Sequence, residues 1–333
     1  MIAAVVFFLI LCSSISGFNF KGREFTLEHS LWLRGFAALL VLFHHMKPEL
    51  GGCNLINTCY GACGRYCVAV FFFMSGYGLM LQLHKSGDRM FSNYAARRFP
   101  KLLIPYCTAW LFTVGCLGDA LPDLEAIGNH WLTGESFLPF SYYVEELCLF
   151  YAAFWLCFRF CRPSIGLLLL FIFTISAMVM FRVAHWNNHW WISSIAFPMG
   201  ALVAFVIQRK INMWWPCFGI ACLTSLLMLA MRCDWVDRIG FHAFAVEPLF
   251  CLLVVFVIPR LRLRSERFNG MMLIGRISYE FYILSGCVLC WCLNVHYPWY
   301  PCLVMVVLLA VARVFHYING RILKTVNGIP GLK

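Results

Sequence analysis

Long apolar runs separated by short polar segments repeat along the whole chain. Each run approaches the ~20 apolar residues that a helix needs to cross the hydrocarbon core of a bilayer. The core runs lie near residues 30–46, 66–84, 99–117, 141–161, 164–183, 190–208, 214–231, 240–258, 274–293 and 299–318. This pattern predicts an all-α fold, a polytopic transmembrane helix bundle with about ten core spans, because only helices and closed barrels satisfy the backbone within lipid.

An additional apolar run occupies residues 2–17, ahead of the core. It is short for a span and lacks the basic start of a secretory signal, although Ser and Gly follow it as they do before a cleavage site. We interpret it as an extra N-terminal helix, because cleavage would leave Lys21 and Arg23 on the outer side. The predicted organisation is an extra N-terminal hydrophobic helix at 1–20, a single transmembrane domain at 28–320 and a short cytoplasmic tail at 321–333.

The distribution of charge predicts the topology of this bundle. The chain is 62% apolar and only 12% charged, which is typical of a membrane protein rather than a soluble one. Most basic residues lie on alternate loops, whereas the loop at 118–140 carries several acidic residues and no Lys or Arg. The positive-inside rule therefore predicts a multi-pass protein of the inner cell membrane, with the lipid bilayer around it and its C-terminus in the cytoplasm.

Several other functional classes find no support in the sequence. The net charge is +11, but the basic residues lie in short loops between apolar runs, so we expect no nucleic-acid partner. No GxxxxGK[ST], GxGxxG or HExxH string is present, which leaves P-loop, dinucleotide-binding and zinc-protease functions unsupported. One polar loop and the residues just beyond it contain Cys53, Cys59, Cys63 and Cys67. Their spacing matches no common zinc pattern, so we favour a disulfide over a metal site and predict no metal.

The first core run carries two ionisable residues, Arg34 and His45, within the string LRGFAALLVLFHH. Eleven helical steps turn through about 1100° and rise roughly 16 Å, so both side chains lie on one helix face, about half a bilayer apart. Ionisable groups at membrane depth are costly, which favours a functional role for this pair. The alternative is a structural one, with Arg34 as a snorkelling topology anchor and His45 as an interfacial histidine.

Six strings, in order along the chain, resemble the membrane-bound acyltransferase-3 family. The first is LWLRGFAALLVLFHH, which resembles the family's opening helix, where Arg or Lys is followed after ten residues by His. The others are GRYCVAVFFFMSGYGLML (64–81), RRFPKLLIPY (97–106), SYYVEELCLFYAAF (141–154), WWISSIAFPMGALVAF (190–205) and GRISYEFYIL (275–284). The chain departs from the family pattern at Ser285, where a His is usual, and at Lys101, where a second Arg is usual.

This resemblance implies a reaction and its partners. Members of the family transfer an acyl group, in most cases acetyl, from cytoplasmic acyl-CoA to a hydroxyl of a sugar or polymer at the outer face. We therefore expect acetyl-CoA as the donor, a glycan or glycolipid as the acceptor, and no metal. His45 is expected to act as general base toward the acceptor or as a transient acyl carrier, and the sequence leaves both roles open. Arg34 is expected to help bind the acyl-CoA or to orient its thioester.

Other charged residues near the predicted membrane faces are candidates for supporting roles. Arg97, Arg98 and Lys101 precede the third core span and can hold the phosphates of acyl-CoA, although topology signalling explains them as well. Glu145 and Glu146 open the fourth span, at a depth comparable with that of His45. A carboxylate there would fix the imidazole tautomer and stabilise imidazolium, and the sequence does not show which of the two faces inward.

Two other classes of function fit the bulk features. A transporter or flippase for a glycan or a lipid-linked precursor would also have many spans, buried charges and basic cytoplasmic loops. Against it, the sequence shows no internal repeat of two halves, which many secondary transporters have. A catalytically inactive relative acting as a membrane scaffold is the third reading. No sequence feature predicts the acceptor sugar or the oligomeric state.

Overall fold

The computed structural model describes residues 2–19, 25–46, 54–117, 129, 132–209, 238–265, 267, 269–292 and 300–328. Helices make up nearly all regular structure in these residues, which confirms the all-α prediction. Their bounds are α1 Ile2–Ser14, α2 Leu27–His45, α3 Asn54–Ser86, α4 Tyr94–Leu117, α5 Tyr142–Arg159, α6 Pro163–Val183, α7 Ala196–Gln208, α8 Arg238–Phe241, α9 Glu247–Val257, α10 Gly270–Arg276, α11 Ser278–Cys292 and α12 Tyr300–Gly328.

Length and composition allow several of the described helices to cross a membrane. Four segments qualify alone: Cys63–Phe91, Pro163–Val183, Arg238–Arg260 and Tyr300–Val326. The bent pair α10 and α11 makes a fifth if it is counted as one span. The count of ten core spans therefore stays a prediction, and the run at 214–231 lies outside the described residues.

Some apolar runs are interrupted where hydropathy alone predicts a continuous helix. The run at 274–293 contains a break at Ile277, and the two helices on either side meet at an angle of 82°. Within the run at 240–258, the segment His242–Val246 forms a π-helix between α8 and α9. Helix α12 continues to Gly328, beyond the start of the predicted tail. Hydropathy reports which residues avoid water, and it contains no information on where an apolar helix bends.

A small two-stranded sheet, absent from the prediction, joins the N-terminal segment to the chain after α9. Strand β1, Ile15–Phe18, pairs antiparallel with β2, Leu261–Leu263. Ser14 extends this link, because its carbonyl accepts hydrogen bonds from the Arg264 backbone N–H at 3.0 Å and from Asn269 Nδ2 at 3.1 Å. Helix α1 covers most of the predicted N-terminal segment and ends where this pairing begins, and the retention of this segment in the mature protein stays a prediction.

The chain divides into two compact units. The first comprises 1–67, 99–144 and 254–333, and the second comprises 68–98 and 145–253. The prediction of one transmembrane domain at 28–320 concerns the whole chain and stays a prediction.

In each unit, two helices cross at a pair of glycines. In the first unit, a Cβ on Gly35 of α2 would lie 1.9 Å from the carbonyl oxygen of Met271 in α10, and a Cβ on Gly275 would lie 1.9 Å from that of Leu31. Only glycine allows the two backbones to approach this closely, as small residues do at membrane helix interfaces.

The second unit repeats this arrangement where α3 meets α7. A Cβ on Gly76 would lie 2.0 Å from the Phe197 carbonyl oxygen, and one on Gly200 would lie 2.0 Å from that of Phe73. Gly76 belongs to GRYCVAVFFFMSGYGLML (64–81), one of the six strings that resemble the family. This string therefore contains a glycine that packs at a helix crossing.

Candidate functional site

Helix α2 carries both residues of the predicted pair, with Arg34 in its first half and His45 at its last position. The helix begins at a capping box, in which Thr26 Oγ1 accepts from the His29 backbone N–H and the Thr26 backbone N–H donates to His29 Nδ1 at 3.2 Å. The side chain of Arg34 is half-buried beside the crossing glycine Gly35. The prediction of one shared helix is therefore correct, and the predicted roles of the two side chains stay predictions.

The imidazole of His45 stacks on an aromatic ring from a distant part of the chain. Its centroid lies 4.0 Å from that of Phe140, and the ring planes differ by 22°. The neighbouring ring of His44 meets the His45 ring edge-on, with the centroids 5.2 Å apart, and it also packs against Gly64 of α3. His45 therefore stacks on Phe140 on one side and meets the edge of the His44 ring.

Phe140 belongs to a tight turn, residues 138–141, that precedes α5. Its φ angle is 64°, in the left-handed region that a bulky side chain seldom adopts. A backbone in this region persists only where the surrounding contacts fix it, and such positions cluster at functional sites. The ring is 42% exposed, so one part of it covers the imidazole while another part faces outward.

Helix α11 and a pair of hydroxyl groups hold this turn in place. Tyr282 donates from its hydroxyl to the Phe140 carbonyl oxygen at 2.6 Å. A Cβ on Gly286, one turn further along α11, would lie 2.4 Å from the Pro139 carbonyl oxygen. Ser141 Oγ donates to the Leu138 carbonyl oxygen at 2.8 Å and lies 3.3 Å from the Tyr106 hydroxyl of α4. Each contact restricts where Phe140, and hence the imidazole of His45, can lie.

The two glutamates at the start of α5 differ in burial. Glu146 is 1% exposed and accepts a hydrogen bond from Ser194 Oγ, whereas Glu145 is half-buried. Among the described residues, Glu146 Oε2 has no hydrogen-bond partner. Glu247 of α9, which is 0% exposed, interacts electrostatically with Glu146. Glu146 is thus the inward-facing member of the pair, and its predicted effect on His45 stays a prediction.

The three cations of the predicted phosphate site lie in the first two turns of α4. Arg97 and Lys101 are exposed, one turn apart, and Arg98 is half-buried. The Arg97 guanidinium donates to the Ser92 carbonyl oxygen just before the helix. This arrangement leaves the cations available to an anion, and nothing in it distinguishes phosphate binding from topology signalling.

Comparison with known proteins decides the family. A family model for an acyltransferase domain, that of acyltransferase-3, matches residues 31–318. The chain belongs to the acyltransferase-3 family. Searches of the curated proteins and of the solved structures found no significant match.

Membership of the acyltransferase-3 family makes the chain a membrane acyltransferase, and the matched region contains every residue of the predicted site. In the part of the chain that the structure describes, no group of three or more His, Cys, Asp or Glu side chains is arranged to hold a metal ion. The predicted loop disulfide lies outside the described side chains at Cys53 and Cys59.

Sequence reasoning missed the support around His45. It did not identify Phe140, Ser141, Tyr282 or Gly286. The strings SYYVEEL and GRISYEFYIL, which lead into or contain this support, carried the only available signal, through their resemblance to the acyltransferase-3 family.

Proposed function

We propose that this protein transfers an acyl group, acetyl in the simplest case, from cytoplasmic acyl-CoA to a hydroxyl of an exported or cell-surface glycan. The supporting observation is the imidazole of His45, held at the end of α2 by a stacked ring on a constrained turn. An interfacial histidine with no role beyond solvation has no need of such a support. The acyltransferase-3 family supplies the reaction class, and the imidazole supplies a base for it.

The chemistry needs a proton acceptor because an alcohol is a weak nucleophile. In the direct route, His45 removes the hydroxyl proton as the alcohol oxygen attacks the thioester carbonyl. The carbon–sulfur bond then breaks, and the imidazolium returns its proton to the leaving thiolate. In the relay route, a ring nitrogen of His45 attacks the thioester and the thiolate leaves. The acceptor oxygen then displaces the imidazole from the acyl group, and the hydroxyl proton passes through the released imidazole to the thiolate. Both routes end in the same ester and free coenzyme A.

Arg34 and the α4 cations fit the donor side of this reaction. In the proposed topology of ten core spans, the N-terminal half of α2 faces the cytoplasm, as do Arg97, Arg98 and Lys101. Acyl-CoA is polyanionic, so guanidinium groups on this side bind its phosphates or orient its thioester. His45 lies roughly 16 Å further along the helix, toward the acceptor.

The decisive experiment follows labelled acyl groups into surface glycans. Membranes from cells expressing the wild type, His45→Ala, Arg34→Ala or His44→Ala are incubated with acetyl-labelled coenzyme A, and the glycans are analysed by mass. We expect label with the wild type and with His44→Ala, and a loss of about 100-fold or more with His45→Ala, because a positioned base contributes ~10²–10⁴-fold. His44→Ala is the matched control, since it removes the adjacent imidazole, which meets the His45 ring edge-on and packs against Gly64, and it keeps His45 and its stack on Phe140.

The same experiment separates the enzyme from a transporter. A flippase would change the amount of glycan at the surface and leave its acyl content unaltered. Equal labelling with the wild type and with His45→Ala would contradict the proposed role of the imidazole.

A further inference from the structure

A second group of cations, from segments other than α4, lines a pocket between α10 and α12. The pocket has a volume of about 560 Å³ and is lined by Arg267, Leu273, Arg276, Arg313, His316 and Tyr317. Small-molecule sites typically have volumes of ~300–1,000 Å³, so the pocket is large enough for an organic phosphate and not only for a simple ion. We refer to these six residues as the arginine pocket.

The three guanidinium groups of the arginine pocket come from separate parts of the chain. Arg267 precedes α10, Arg276 ends it, and Arg313 lies on α12. Loop charges that only set topology have no reason to converge on one concavity. Arg313 lies within Tyr300–Val326, a segment apolar enough to span the membrane, where a guanidinium is costly unless it is used.

Two further contacts order the pocket. His316 Nδ1 lies 3.2 Å from Glu280 Oε1, and Glu280 is buried on α11, so the imidazole is held from one side. Arg321 donates to the Tyr317 hydroxyl at 2.8 Å, and its guanidinium lies over the same ring at 5.3 Å from the centroid. Leu273 and Tyr317 add exposed apolar surface next to the cations. Cations beside apolar surface suit a phosphate ester that carries an organic group.

The pocket adjoins the Arg34 end of α2. Gly275 of α10 contacts the backbone of Leu31, and Arg276 follows it directly in the chain. Arg34 is one turn from Leu31 on α2. The pocket is therefore on the side of this unit that the proposed topology assigns to the cytoplasm, where both coenzyme A and the headgroups of anionic lipids are present.

We propose that the arginine pocket binds a phosphate group, carried either by coenzyme A or by an anionic phospholipid. Guanidinium groups pair with phosphate through paired, charge-assisted hydrogen bonds, and basic pockets between membrane helices on the cytoplasmic side bind lipid headgroups. The coenzyme A source rests on the proposed function, and the lipid source does not.

The test uses the full chain, purified into nanodiscs. Coenzyme A is titrated calorimetrically against the wild type, the double variant Arg276→Gln/Arg313→Gln and the control Lys324→Gln. Lys324 is exposed on α12, the same helix as Arg313, and lies outside the pocket. We expect the double variant to bind coenzyme A about tenfold more weakly or worse, because it loses two charge-assisted partners, and the control to bind as the wild type does.

A second arm tests the lipid source. The melting temperature is measured in nanodiscs of phosphatidylcholine alone and with phosphatidylglycerol added. If the double variant binds coenzyme A normally but no longer gains stability from phosphatidylglycerol, the phosphate belongs to the lipid. If the double variant matches the wild type in both arms, the arginine pocket is not a phosphate site and the proposal is wrong.

A measurement on the wild type alone covers the case of a misfolded variant. Phenylglyoxal modifies accessible arginines, and the extent of modification at each position is read by mass spectrometry. Bound coenzyme A or phosphatidylglycerol should protect Arg276 and Arg313, and no protection by either would overturn the proposal.

None of these readouts requires acyl transfer. His45→Ala should retain coenzyme A binding, so failure of this proposal and failure of the proposed function are distinguishable.

Discussion

The His45 site and the arginine pocket belong to the same unit and are built in opposite ways. His45 is held by a stacked ring, a left-handed backbone and a glycine contact, and a hydrogen bond from α11 fixes the turn. The arginine pocket is open, and cations from three separate segments line it. The contacts around His45 fix the position of its imidazole, whereas the arginine pocket provides positive charge. Small steric changes should therefore displace His45, and screening by salt should weaken anion binding in the arginine pocket.

The largest effect is expected where a single methyl group would displace the turn. In Gly286→Ala, the new Cβ would lie 2.4 Å from the Pro139 carbonyl oxygen, so the turn and Phe140 must move. Misplacing a reacting group by about 1 Å can cost ~10²-fold in rate, and we expect acyl transfer to fall by that order. The control is Gly320→Ala on α12, because nothing lies within 4 Å of its added Cβ. Both variants are assayed for transfer of labelled acetyl groups, and equal activity would mean that the turn does not position His45.

An intermediate effect is expected from removing the aromatic face while keeping apolar bulk. In Phe140→Leu, the stacking on His45 is lost and the backbone keeps its φ of 64°. Aromatic pairs contribute ~0.5–1.5 kcal/mol beyond buried area, so we expect turnover to fall by about two- to tenfold. The decrease should appear in kcat, with the KM for acyl-CoA unchanged, because the ring contacts the base. A rise in that KM alone would assign Phe140 to donor binding.

A smaller effect is expected from one hydroxyl of α11. Tyr282→Phe removes the hydrogen bond to the Phe140 carbonyl oxygen and leaves the ring, which also packs edge-on against Tyr143. One such bond contributes ~0.5–1.5 kcal/mol to stability, so the loss in transfer should be several-fold at most. Tyr279→Phe is the matched control, since its hydroxyl donates at 2.7 Å to the Leu102 carbonyl oxygen, away from the turn. Both variants should lose similar stability in a melting measurement, and only Tyr282→Phe should lose activity.

The sequence predicted what depends on local geometry and on family resemblance. Helical pitch alone places Arg34 and His45 on one helix face, and the structure shows that both residues belong to helix α2. The stack of His45 on Phe140 joins residues far apart in the chain, so no local pattern contains it. The choice between Glu145 and Glu146 depends on how α5 is rotated against its neighbours, which is a tertiary property. The bend at Ile277 lies two residues after Gly275, which meets the Leu31 backbone of α2, and this contact is likewise a tertiary property.

The arginine pocket is a second feature that the sequence could not predict, and the α4 cations show why. Arg97, Arg98 and Lys101 are close in the chain, so the sequence predicted them as a cluster. Arg276 and Arg313 belong to different helices, and the sequence analysis did not connect them. The pocket appears when α10 and α12 are brought together. A cluster built from separate segments can be predicted only when the fold is known, whereas a cluster within one segment can be predicted from the sequence.

The smallest effect is expected from salt, and it separates the two sites most directly. The Debye length falls from about 10 Å at 0.1 M to about 3 Å at 1 M ionic strength, so charge-based binding to exposed cations weakens. Raising the salt concentration should increase the KM for acyl-CoA a few-fold in the wild type, and less in Arg276→Gln/Arg313→Gln, which has fewer cations to screen. The kcat should stay constant, because stacking and sterics, rather than net charge, position the imidazole of His45. A salt-dependent kcat with an unchanged KM would reverse the assignment, making the His45 end the charge-dependent site.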